Sequence, residues 1–232
     1  MSARSKNAVS RGLSLVELMV GITIGLFIVA AATVMVSGQL NENRRLILES
    51  QLQQDLRATT DIITRELRRV GTDSAPQFLI ATPTATASLN TFAPTTPASG
   101  AQTNVEFSYF RSGSEYGPFG FRLDGSVIQT QITTSGGARW QDLTDSAVME
   151  VTNFSISINR EPSQELPCPK LCSSGDTTCW PLMYVREFVI DISARMRNNP
   201  DIRRSMRSRV RARNDQVEFR IGAGASAMAC PS

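Results

Sequence analysis

Residues 18–36 run for nineteen positions without a charged side chain. As a helix rising about 1.5 Å per residue, the stretch is about 29 Å long, the thickness of a bilayer's hydrocarbon core. No other feature constrains the fold as strongly, because such a helix must cross a membrane or bury itself against other apolar helices. Arg4, Lys6 and Arg11 precede it. The positive-inside bias therefore places the N-terminus in the cytoplasm and the chain after residue 36 across the membrane; Arg44 and Arg45 dilute the bias without reversing it.

Glu17 stands at the entrance of this run. A carboxylate there is costly and tends to mark function, although near a helix end it can also reach the headgroups. The residues Gly12-Leu13-Ser14-Leu15-Val16-Glu17 resemble the processing site of type IV prepilins. The resemblance implies a leader over residues 1–12, cleavage by prepilin peptidase after Gly12, and methylation of the new N-terminus at Leu13. It also implies an assembly role for Glu17, at the fifth position of the mature chain, in pairing with a neighbour's N-terminal ammonium. Leu13 departs from the phenylalanine usual in that family. Val34 stands where major pilins usually carry a kinking proline, which points away from a major pilin. The rival reading is a secretory signal, with the same basic residues and Ala30-Ala31-Ala32 as its cleavage site. Its apolar region would hold about 7–15 residues, whereas this one is longer and opens on an acid.

The chain of 232 residues has room for the membrane helix and one globular domain of about 160 residues. Removing the three basic residues of the leader from a total of 24 leaves 21, equal to the 21 acidic ones. The mature protein is thus neutral overall, and a nucleic-acid partner is not expected from its composition. There is no histidine, which excludes Ser-His-Asp, Cys-His and His-zinc chemistry. Gly222-Ala223-Gly224 is too short to cradle a phosphate. The chain reads as a non-enzyme with no cofactor and no metal.

Cys168, Cys172, Cys179 and Cys230 make an even set in a chain whose bulk lies outside the cytoplasm, so disulfides are the default. Their spacing lacks the paired C-x-x-C knuckles of structural zinc. Four cysteines allow three pairings. The preferred one joins Cys172 to Cys179 and fastens the small-residue tail through Cys168 and Cys230.

After residue 36 the apolar pattern turns amphipathic: Leu48, Leu52, Leu56, Ile63, Leu67 and Val70 recur at helical spacing. Asp61 and Arg65 form an i,i+4 pair, Arg65, Arg68 and Arg69 suit the dipole of a last turn, and Gly71 supplies the stop. The expected helix covers a transmembrane or filament-core half over 13–36 and an amphipathic half over 37–71. Residues 72–104, rich in Thr, Ala and Pro, read as a surface loop, with Pro83, Pro94 and Pro97 opposing regular structure. Residues 105–232 read as an antiparallel sheet domain. Strands are expected at 105–109, in a hairpin turning at Asp124-Gly125, at 148–158 and at 184–194, with a Cys-rich loop over 161–181. Residues 207–213 read as a late strand with Arg207, Arg209, Arg211 and Arg213 on one face. Together with Arg203 and Arg204 they put six guanidiniums into eleven residues. The bland reading is a solvated strand face; the functional one is docking of an acidic partner through Arg207, Arg209 and Arg211.

Helix, loop and sheet in this order predict an α+β fold with the helix's apolar stripe on one sheet face. The segment from Leu52 to Gly71, with Arg57, Asp61, Arg65, Glu66, Leu67 and Arg68, and the late strand ending in Arg213-Asn214 resemble the PilW family of minor pilins. That resemblance implies a pilin-like fold and a subunit that helps prime pilus assembly. The implied partners are other minor and major pilins, prepilin peptidase and the inner-membrane assembly platform. The implied location is the inner membrane in a single pass, and then the pilus, its tip included. Two alternatives are a J-like minor pseudopilin of type II secretion and a membrane-anchored periplasmic binding protein that does not polymerise.

Overall fold

The computed structural model describes residues 14–72, 92–93, 103–111, 117–134, 137–218, 220 and 230. One helix, α1 (Leu15–Arg68), is followed by eleven strands among the described residues. The chain falls into two units, Met1–Ile47 and Leu48–Ser232.

In the first unit α1 has no buried residue before Ile47, and apolar side chains such as Phe27, at 79% exposure, stand uncovered. The few hydroxyls in the segment are satisfied within the helix itself. Thr23 donates to the Val20 carbonyl at 2.9 Å, Thr33 to Val29 at 2.8 Å and Ser37 to Thr33 at 2.8 Å. This is how polar groups are accommodated where no water competes for them.

In the second unit α1 buries Leu52, Leu56, Thr59, Thr60, Ile63 and Leu67. The seven-residue gap between Leu56 and Ile63 is filled by the two threonines, so the buried stripe is continuous at helical period. The last turn tightens through i→i−3 bonds from Arg69 to Glu66 and from Val70 to Leu67. Gly71, at φ 77°, then turns the chain out and donates its N–H to the Ser108 carbonyl.

The strands form three antiparallel sheets. The first holds β1 (Phe92–Ala93), β2 (Asn104–Phe107), β3 (Phe119–Asp124), β4 (Val127–Thr134) and β5 (Gly137–Asp142) in sequence order. The second has the order β10-β9-β6, from β6 (Met149–Arg160), β9 (Arg186–Met196) and β10 (Arg203–Arg211). The third, β11-β8-β7, is made of β7 (Gln164–Glu165), β8 (Leu182–Tyr184) and β11 (Gln216–Glu218). The β3–β4 hairpin pairs Asp124 with Val127, leaving Gly125, at φ 59°, and Ser126 as its two-residue loop. A bulge between Val151 and Asn153 shifts the inward parity of β6 from Met149 and Val151 to Phe154, Ile156 and Ile158.

Side chains from α1 and from both large sheets share one core, including Leu52, Leu56, Phe107, Phe121, Phe154 and Phe188. The architecture is the expected α+β one, a long N-terminal apolar helix whose second part packs on antiparallel sheet. Two details differ from expectation. The stretch 72–104 contains β1, paired with β2 through Phe92↔Phe107 and Ala93↔Glu106, because two extended residues need no periodicity to add to an open edge. The Cys-rich stretch 161–181 likewise contains β7 rather than loop throughout.

Candidate assembly surfaces

Two surfaces and one cross-linked module carry the residues singled out above. The first surface is the uncovered part of α1. Glu17 lies exposed in the first turn, where the helix dipole favours a carboxylate. The segment reaches a mean hydropathy of 2.4 with none of it buried, which makes it a fitting single-pass membrane anchor. Gly12 and Leu13 lie outside the described residues.

The second surface is the outer face of the β10-β9-β6 sheet. Strand alternation brings Arg203, Ser205, Arg207, Arg209 and Arg211 to that face, opposite Arg195, Ser193, Asp191, Val189 and Glu187 of β9. Arg213, just beyond β10, is also exposed. Arg207 lies 3.6 Å from Asp191 and Arg211 3.3 Å from Asp215, and both arginine side chains remain 62% exposed. Ion pairs this open contribute little to stability. Arg195 is held more firmly, 2.7 Å from Glu150 across the ladder. Arg209 faces Val189 and makes no ion pair among the described residues. Beside the β6 bulge, Asn153, Ser155, Asp191, Ser193, Ser205 and Arg207 line a polar groove.

Arg204 does not belong to this stripe. It has the opposite strand parity, shared with Met206 and Val210, and its guanidinium contacts Glu49 of α1 at 2.5 Å. The six clustered guanidiniums therefore divide between two faces.

The module is cross-linked by two disulfides, Cys172–Cys179 within one loop and Cys168–Cys230 across 62 residues. Inside the small loop Asp176 accepts from Ser174 and from the hydroxyl and N–H of Thr178. Those bonds, led by the Thr178 hydroxyl, hold its carboxyl below the usual range.

Two of the buried polar groups that the sequence did not reveal tie distant parts of the chain together. Arg186 is only 1% exposed and donates to the Asn214 carbonyl at 3.3 Å, while its own carbonyl accepts the Ala212 N–H. It thereby anchors the turn after β10. Burial, then the neighbouring charge of Arg160, pushes its guanidinium down to about 10, still protonated at neutral pH. Its position was readable in principle, because it shares the inward parity of Phe188, Ile190 and Ile192. The other is Tyr109, whose hydroxyl donates to Glu66.

A family model described as PpdB, prepilin peptidase-dependent protein B, matches residues 45–212, over two thirds of the chain. No curated protein and no solved structure matches it.

Proposed function

This chain belongs to the prepilin peptidase-dependent protein B family, and from that membership we propose that it is a PilW-type minor pilin of a type IV pilus. The family is one of pilin-like structural proteins, and their dependence on a prepilin peptidase implies partners from a pilus system. In this reading the peptidase cuts after Gly12 and the new terminus at Leu13 is methylated. The subunit then waits in the inner membrane, N-terminus in the cytoplasm, until the assembly platform extracts it. It joins other minor pilins to prime the filament that major pilins extend, and it remains near the tip.

The observation that carries the reading is the uncovered apolar part of α1 with Glu17 in its first turn. Left in water, that surface would drive association through burial of apolar area. In a bundle of like helices it gains neighbours, and Glu17 gains the N-terminal ammonium of an adjacent subunit. Such a pair, taken out of water, sets register more than it adds net stability.

A J-like pseudopilin would share the same N-terminus and size, so deletion of the gene is the separating experiment. Loss of twitching motility with exoprotein secretion intact is the expected result. Loss of secretion with normal twitching would overturn it in favour of the pseudopilin. Absence of the chain from sheared filaments, with neither phenotype, would identify an anchored protein that does not polymerise.

A further inference from the structure

We propose that the outer edge of β10 is a docking strand: an acidic, extended segment of a partner protein adds beside it, its alternate carboxylates meeting Arg207, Arg209 and Arg211. The inference goes beyond the pilin reading, since it concerns the sheet domain and requires neither processing nor polymerisation.

The edge itself is the first argument. β10 is the terminal strand of its sheet, and among the described residues nothing pairs along its other side. It runs nine residues in unbroken register with β9, from Arg203↔Arg195 to Arg211↔Glu187. Every second residue of such an edge directs its N–H and C=O away from the sheet, a ready template for one more strand.

Charge selects what can use that template. Arginines on an edge are a common guard against pairing, but the guard acts on like edges. Two copies of β10 placed side by side would set guanidinium against guanidinium, which is destabilising in a cross-strand pair. An incoming strand with carboxylates at alternate positions reverses the sign of each contact. Compensation among the described residues is partial: Arg207 and Arg211 share open pairs with Asp191 and Asp215, and Arg209, between them, faces an apolar residue. The centre of the stripe thus retains its charge for a partner.

The inner face of β10 sets the remaining positions. Met206 is half-buried against the core and Val210 is buried, so intervening residues of the added strand would lie beside apolar surface. The ligand is therefore an alternating acidic and apolar segment. Nucleic acid would use the charge but neither the edge nor the apolar side, and β10 presents no aromatic ring on which a base could stack.

The test uses the full chain in detergent micelles and a blocked, fluorescent peptide alternating glutamate and valine over the length of β10. Binding is expected at low salt, weakening as salt is raised. Replacing Arg207, Arg209 and Arg211 together with Gln should weaken it roughly tenfold, with circular dichroism verifying the fold. Should that variant fail to fold, Arg209→Gln alone, which breaks no ion pair among the described residues, is expected to weaken binding roughly threefold. The same peptide N-methylated at its glutamates, which lie opposite the arginines and would exchange the edge hydrogen bonds with them, should not bind, because it cannot complete the ladder. Equal binding by the N-methylated peptide, undiminished binding by the folded arginine variant, no binding at low salt, or tighter binding of a single-stranded DNA of equal charge would each overturn the proposal.

Discussion

Tyr109 donates its phenolic hydrogen to the carboxylate of Glu66, joining the chain just after β2 to the last turns of α1. Arg69 completes the group, 3.6 Å from Glu66 and with its guanidinium 5.8 Å from the centre of the Tyr109 ring. Burial first, then the hydrogen bond and charge of Glu66, push the phenol from its ordinary 10 up to about 12. Because the folded value is raised, this contribution to stability is complete below pH 10 and is lost as the pH climbs through 12. A spectrophotometric titration should show one phenol ionising late, and Tyr109→Phe should remove that phase. It should also flatten the alkaline loss of stability between those pH values. A normal phenol at position 109 would refute the coupling.

Glu17→Gln is expected to leave processing and membrane insertion intact while reducing incorporation into filaments, since an amide cannot neutralise a neighbour's ammonium. Gly12→Glu should instead leave the unprocessed precursor in the membrane. Immunoblots of sheared filaments and of membranes distinguish the two, and normal incorporation of the glutamine variant would end the pairing role.

Loop length ranks the two disulfides. Closing 62 residues restricts the unfolded chain more than closing seven, which gives about 4 kcal/mol for Cys168–Cys230 against about 2 kcal/mol for Cys172–Cys179. Chemical denaturation of the two double-serine variants should reproduce that order. Non-reducing mass spectrometry of the native chain should recover both linked peptides and no free thiol.

Thr60 is buried in the helix stripe, and its hydroxyl finds no hydrogen-bond partner among the described residues. Thr60→Val replaces that hydroxyl by a methyl group of nearly the same shape, and stabilisation by about 1 kcal/mol is expected. Leu56→Ala, one turn earlier, should cost about 2–5 kcal/mol through the cavity it leaves. The midpoint of urea unfolding measures both, and a destabilised Thr60→Val would show that the hydroxyl is satisfied in solution.

Those threonines also explain where sequence reading stopped. Leucines and Ile63 at helical spacing located the buried stripe of α1 across its seven-residue step, but Thr59 and Thr60 carry no apolar signal, so their own burial in it was not legible. Asp124-Gly125 between alternating segments located the β3–β4 hairpin because a two-residue turn demands particular residues. By contrast β5 has hardly any burial to alternate, and β1, β7, β8 and β11 are two or three residues long. Pairing partners create such strands, and partners are not visible locally. The separation of Arg204 from its neighbours follows from strand parity, whereas its contact with Glu49 depends on how α1 lies against the sheet. The parity change in β6 required the bulge, which no residue type announces.

The Cys168–Cys230 link has a mechanical consequence. It encloses β8, β9, β10 and β11 in a covalent ring. If the two ends of the chain are drawn apart, the line of force passes through the sulfurs and bypasses those strands. Roughly 200 Å of extended contour, at about 3.4 Å per residue, then stays out of reach of the load. The length such a subunit yields when stretched is fixed by where the ring closes, even after every hydrogen bond in its sheets has broken.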